Sequence, residues 1–461
     1  MSRNKNRVCT PFGTVVSRMC RVFVKLFSLV LTGLLVTVAT PGNAQTAATE
    51  PLELTFSFGP DDSGSLRALI ERFNKEYEGE IRVTWREMAR DSDAYFRQLA
   101  SDFSVGAADT DIIGADVIWT AEFVTNGWVE DLTRRFYDAY NAQDFLRAPL
   151  NSVFYRNRVW GVPWYTDAGL LYYRRDLLEA SGFSEPPATW DELTEMAQQV
   201  TQEAEVPYGF VFQGAEYEGG VANALEYIWS AGGNVLTGNV SVAGAFGQNV
   251  IDPNVITVAS EDSAQGLDVA RGLIESGVAP EVVTEFREKE TYEAFLRGEA
   301  VFMRNWPFAY GLIGATLSQL SPEQVGVAPL PTVREGGRSF STLGGWNLMV
   351  SASSENQEAA WTFIRYVTDP AQQKQRALSG GFLPTLSALY DDAEIAENVP
   401  VIALGGEAIQ NARVRPVSPF YSRISPRVAR AFTRTLEGEL SGQEAVRGLQ
   451  RELETILRQG R

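Results

Sequence analysis

The sequence predicts an α/β protein of more than one lobe, on three observations. Its opening reads strand, loop, helix, strand; the same alternation recurs along the chain; and no linker rich in Pro, Gly or Ser divides the 461 residues. Leu52, Leu54, Phe56 and Phe58 alternate with Glu53, Thr55 and Ser57, the period of a strand with one buried face, and the pattern stops at Gly59-Pro60-Asp61-Asp62-Ser63-Gly64. Leu66, Leu69, Ile70, Phe73 and Tyr77 then follow helical spacing as far as Gly79, and Ile81, Val83 and Trp85 alternate again. Such a β-α-β unit predicts parallel strands with a crossover helix. The loop after its first strand lies at the carboxyl edge of the sheet, where α/β folds bind ligands.

Further elements follow in order. Asp111-Ile112-Ile113 reads as a strand leading into Asp116-Val117-Ile118-Trp119, and Val159 to Pro163 as another. Thr189 with Glu192 three residues on forms a capping box for a helix through Val200. Tyr208 to Phe212, Ala300 to Arg304 and Val325 to Ala328 read as strands, and Ser263 to Ser276 as a helix closed by Gly277. The last third is mostly helical, with stripes over Glu355–Val367 and Ser441–Arg458. Gly232-Gly233 and Gly380-Gly381 lack the Lys of a phosphate-cradling loop and read as helix C-caps or turns.

Residues 1–44 carry six basic and no acidic side chains, then the 14-residue apolar run Leu26–Ala39 and Gly42 and Ala44 at the −3 and −1 places of a cleavage site. An export signal cleaved after Ala44 is expected, since the run is shorter than the roughly 20 residues a spanning helix needs. Both cysteines, Cys9 and Cys20, precede the apolar run, so the exported chain is expected to hold no thiol. Removing 44 of 461 residues leaves 417, more than one core usually holds. One solution is two α/β lobes between which the chain crosses more than once.

Composition excludes much chemistry. With no histidine there is no Ser-His-Asp triad, Cys-His pair or His-based metal site, and no acidic loop has calcium-binding spacing, so neither cofactor nor metal is expected. The net charge is −18, and 34 basic against 58 acidic residues in the exported chain give −24. So acidic a surface repels nucleic acid and anionic ligands and favours a neutral or cationic one.

Several tryptophans stand in polar, turn-forming company: Trp119, Trp164, Trp229, Trp306 and Trp346. Indole faces beside carboxylates suit a sugar, which offers an apolar C–H face and a rim of hydroxyls. The competing reading of each is core packing. Context favours a site for Trp306 and Trp346, both expected at strand-to-loop junctions, over Trp361, which lies on a helical stripe with Phe363; Trp128, Trp160 and Trp190 read as structural. A glycoside hydrolase is the rival class, with Asp116 and Asp167 as candidate acid and base, but no motif supplies an acid with a raised pKa.

The run Trp160-Gly161-Val162-Pro163-Trp164-Tyr165-Thr166-Asp167-Ala168-Gly169, continuing to Leu178, resembles the family-1 extracellular solute-binding proteins of ABC importers, in particular the trehalose/maltose-binding branch. Asp116–Phe123, Phe210–Gly214 with Tyr217-Glu218-Gly219, Arg304–Pro307, Leu343–Trp346 and Arg413–Pro419 agree in order and spacing. The resemblance implies a type II periplasmic-binding-protein fold: two discontinuous lobes joined by a multi-segment hinge, with ligand in the cleft. It divides the chain into a signal over 1–44, lobe 1 over 45–165 and 343–390, and lobe 2 over 166–342 and 391–461. It implies a monomeric periplasmic receptor for a neutral α-glucoside disaccharide that delivers it to an inner-membrane permease. Other oligosaccharides or polyol glycosides remain open.

Residue by residue, the resemblance makes Asp116 a first-lobe carboxylate for hydroxyls, Tyr165 and Asp167 an aromatic and a carboxylate past the first crossing, and Trp306 and Trp346, with Gly345 beside it, the stacking group. Arg415 becomes a donor from the second lobe, and Asp61 and Arg90 polar groups near the first strand's loop. Phe308 stands where relatives can carry Tyr, removing one hydroxyl partner.

Overall fold

The computed structural model describes residues 50–106, 109–236, 255–316 and 318–459. The expected export signal, with Cys9 and Cys20, lies outside them. Twelve strands are described: β1 (Leu52–Phe58), β2 (Ile81–Glu87), β3 (Ile112–Asp116), β4 (Phe154–Tyr155), β5 (Arg158–Val159), β6 (Val162–Ala168), β7 (Leu170–Arg174), β8 (Tyr208–Val211), β9 (Ala300–Asn305), β10 (Val325–Ala328), β11 (Leu343–Val350) and β12 (Leu383–Pro384). They form a six-stranded sheet, β12-β6-β11-β3-β1-β2, a four-stranded sheet, β10-β7-β9-β8, and the hairpin β4-β5.

The opening β-α-β unit is present as its pattern requires. β1 pairs in parallel with β2, Leu52 opposite Ile81, and the helix Ser65–Glu76 between them buries Leu66, Leu69, Ile70 and Phe73. β1 also runs parallel to β3, whereas β11 enters antiparallel between β3 and β6. Of the expected capping box one half forms, Thr189 accepting from the Glu192 amide, while Glu192 Oε2 accepts from the Ala188 amide instead of that of Thr189; Gly232 and Gly381 close helices in the left-handed region.

Three chain segments join the two sheets. β6 leads into β7 through Gly169 alone, where a Cβ would stand 2.2 Å from Glu226 Oε1 and 2.5 Å from Arg304 Nη2, so a larger residue would collide with that buried ion pair. The second crossing runs from β10 to β11. There the Thr342 amide donates to Glu226 Oε1 (3.0 Å), which ties the pair to both crossings. The third crossing follows the helix Val401–Asn411, which contacts β6 and β12 of the larger sheet and also β10 of the smaller one, before the chain joins the helices beside the smaller sheet at Tyr421–Leu436. The reason is packing: Val401, Ile402, Ala408 and Ile409 are buried, and Gly405, whose Cβ would stand 2.5 Å from Leu383 Cδ2, lets the helix close on β12. β6 likewise carries Thr166 and Asp167 within the larger sheet.

Candidate functional site

A cavity of about 330 Å³ lies between the two halves, and all eight predicted residues line it: Asp61, Asp116, Tyr165, Asp167, Trp306, Gly345, Trp346 and Arg415. Arg90 and Phe308 line it too.

Three strand ends supply its carboxylates. Asp61 follows β1 and closes the turn into the first helix, its Oδ2 accepting from the Leu66 amide (2.6 Å) and Ser65 Oγ (3.0 Å) and its Oδ1 from the Ser63 amide (3.0 Å). Burial opposes its charge, yet nearby Arg376 and these hydrogen bonds outweigh burial and hold its pKa below the usual value. Asp116, the last residue of β3, accepts from Ser92 Oγ (2.7 Å) and Arg415 Nη2 (2.9 Å). Asp167, near the end of β6, is 7% exposed, and its Oδ1 is buried with no hydrogen-bond partner. Burial first, and the neighbouring Asp116 second, push its pKa up to about 8 against the pull of Arg304, Arg376 and Arg415. Burial thus favours the protonated form of Asp167.

Arg415 is carried by the third crossing and not by the second lobe proper. Its Nη1 donates to Glu218 Oε1 (2.6 Å) and its Nη2 to Asp116, so one buried guanidinium joins a carboxylate from each half. Burial works against its charge, but Asp116 and Glu218 win and raise its pKa. Glu218 itself is shifted upward by burial despite Arg415, and Tyr421 OH (2.6 Å) and Ser425 Oγ also donate to it. Arg415 thus gives Nη1 and Nη2 to carboxylates, while its buried Nε has no partner.

The aromatic walls differ from each other. Trp306 follows β9 directly, as expected; its Nε1 donates to Glu288 Oε1 (3.3 Å) and the Arg304 guanidinium lies 3.9 Å from its ring centroid. Trp346 is not at a strand-to-loop junction but inside β11, at a bulge where the pairing with β6 shifts. Gly345 makes the bulge possible: its φ is +114°, and a Cβ would stand 2.5 Å from the Tyr165 carbonyl oxygen. The Trp346 ring packs edge-on against Phe58 (5.0 Å) and Trp119 (5.6 Å), so it belongs partly to the core. Trp119, Trp164 and Trp229 are at most 3% exposed, which makes them core residues despite their polar sequence context. Trp361, 8% exposed, is core as read.

Sequence reasoning missed Arg376, Glu288 and Phe382 and gave Glu218 no role; all four line the cavity. Arg376 sits in the polar helix Pro370–Gly380, where nothing in the spacing marks it. At the mouth Arg90 forms a bidentate pair with Asp62 (2.7 and 2.9 Å), and Arg287 reaches Asp91 from the opposite half. The hydrolase rival gains one feature, the raised pKa of Asp167, and loses another. Asp116, its proposed partner, is tied to Arg415 and Ser92 and is not a free nucleophile or base.

Comparison with known proteins agrees with this geometry. Residues 59–374 match the bacterial extracellular solute-binding protein family. A probable ABC transporter-binding protein of Deinococcus radiodurans is 34% identical over 78% of this chain and 82% of its own. A maltotriose-binding protein of Pyrococcus abyssi is 26% identical over 73% of each. The structure of maltose-bound T. maritima MalE3 superimposes with a TM-score of 0.80 at 35% identity, covering 88% of this chain and all of that one, so the mixed α/β periplasmic-binding-protein fold is shared. The chain belongs to the bacterial extracellular solute-binding protein family and is a binding protein, not an enzyme.

Proposed function

We propose that the protein is the periplasmic receptor of an ABC importer for a neutral sugar, an α-glucoside disaccharide of the maltose or trehalose class. The observation that carries this is the cleft's composition: Trp306 and Trp346 from opposite halves, Tyr165 opposite Trp346 on the adjoining strand β6, and the carboxylates Asp61, Asp116 and Asp167 around them. Indole faces take the apolar side of a pyranose, and ionised groups hydrogen-bonded to hydroxyls contribute about 1.5–3 kcal/mol each. The likeness to a maltose-bound protein at 35% identity supports the same ligand class.

In this reading the halves act as lobes around the three crossings. A sugar touching both stabilises the closed arrangement, and that arrangement is what the permease reads. Titration calorimetry with maltose, trehalose, sucrose, maltotriose and mannitol is expected to give at least one sugar ligand at micromolar affinity or tighter. In the same assay Trp306→Ala is expected to lose at least tenfold in affinity, while Trp361→Ala keeps its affinity and lowers Tm. No heat from any of these compounds would remove the disaccharide reading.

A further inference from the structure

We propose that Arg376 is a positioning residue of this ligand site: a buried guanidinium without a hydrogen bond, clamped between the rings of Trp164 and Phe382, that serves as counter-charge for Asp61 and Asp167 and fixes the aromatic wall beside them. The proposal rests on the sugar-site reading for its purpose but not for its test.

Every other guanidinium lining the cleft has an assigned acceptor. Arg90 binds Asp62, and Arg415 binds Asp116 and Glu218. Arg376 is 2% exposed, and its Nε, Nη1 and Nη2 are all buried with no acceptor. A cation so placed is unfavourable unless charge of opposite sign lies close. Its guanidinium carbon lies 4.3 Å from the Trp164 ring centroid, 4.2 Å from that of Phe382 and 5.3 Å from that of Tyr165. Aromatic faces attract a cation, so each ring is held by it as well as holding it. Tyr165 and Phe382 are cleft residues, with ring centroids 4.9 Å apart. Removing the cation frees the wall on which a sugar ring would rest.

The charges around it are accounted for. Asp61 from the loop after β1, and Tyr165 and Asp167 from β6, favour its charged form, while burial opposes it. Tyr390 lies within the field of Asp167. On its own helix Lys374 is taken up by Asp392 and Glu394, and Gln372 by Arg72 of the first helix. Asp61 faces Arg376, Ser63, Ser65 and the Leu66 amide, and its neighbour Asp62 is committed to Arg90. Arg376 is therefore the one cation whose removal leaves Asp61 with neutral donors alone, and its charge sets the acid limit at which the site still presents a carboxylate there.

The test is carbon NMR of ligand-free protein carrying labelled aspartate, with the Asp61 carboxyl identified by its disappearance in Asp61→Asn. In the wild type the Asp61 titration midpoint is expected below the ordinary aspartate value of 3.8. In Arg376→Met its titration midpoint is expected to rise by at least one pH unit, and Arg376→Lys is expected to return it most of the way. Affinity of Arg376→Met for the best sugar should fall more steeply than the wild type's as pH is lowered from 7 to 4. A wild-type Asp61 midpoint at or above the ordinary aspartate value of 3.8, or the same midpoint in wild type and Arg376→Met, overturns the proposal. If Arg376→Met does not fold, the wild-type midpoint and the Arg376→Lys comparison still decide. Because the carboxyl is read without ligand, failure of every sugar to bind would strike the functional reading and not this one.

Discussion

Arg415→Met is expected to lose ligand binding entirely and to destabilise the folded chain by roughly 3–5 kcal/mol, the usual cost of leaving a buried charge without its partner. The guanidinium is 5% exposed and is held by Asp116 from the larger sheet's half and Glu218 from the smaller sheet's half. Methionine fills similar volume, so the loss measured is that of charge and hydrogen bonds. Glu218 would then lie in the interior without its partner, and its carboxyl, already shifted upward by burial, would bind a proton more tightly folded than unfolded. A carboxylate whose folded pKa is raised makes stability fall as pH rises. The deficit of Arg415→Met in urea denaturation should thus be smaller at pH 5 than at pH 8. A deficit below about 1 kcal/mol, the range of exposed pairs, would show that Arg415 does not join the halves as described.

Asp167→Asn is expected to act in opposite directions on fold and function. Asp167 titrates at about 8 in the folded chain against an ordinary value of 3.8. The folded state therefore keeps a proton that the unfolded chain releases between those values, and this residue costs stability progressively as pH rises from about 4 to about 8. Asparagine removes that cost while preserving shape. The ligand-free variant should melt at a higher temperature than wild type at pH 8 and show a flatter pH profile of Tm. Its sugar affinity should fall by roughly 10- to 100-fold, because a group that can become a carboxylate is replaced by a neutral amide. A variant less stable than wild type at pH 8 would contradict the burial argument. Stability held back by a binding group is a common trade between fold and function.

The elements whose pattern is clearest in the sequence have a face toward solvent. β1 alternates because its early residues have an exposed side, and the helix Ser65–Glu76 shows its stripe because Arg67, Glu71 and Arg72 face water. β6 and β9 are buried at every position and have no alternation to read; the largely apolar run Ala300–Arg304 still marks β9, whereas the reading Val159–Pro163 starts ahead of β6 at Val162. The packing partners of the third crossing are hidden for a related reason. An amphipathic helix such as Val401–Asn411 shows which face is apolar but not which sheet it will meet. The eight named cleft residues came from a resemblance over long motifs, whereas Arg376 and Glu288 lie on helices whose polar composition looks solvated. What makes Arg376 unusual is the lack of a partner, and that is visible only once the rings around it are in place.

The claim that one cleft between two sheets binds a sugar is tested most directly by a crystal structure with the tightest ligand from the calorimetric panel. The expected result is a pyranose ring within about 4 Å of the Trp306 or Trp346 face, the contact distance of packed carbon atoms, with hydroxyls hydrogen-bonded to Asp167 and to at least one of Asp61 and Asp116. A ligand outside this cleft, or one within it that touches neither indole, would contradict the account.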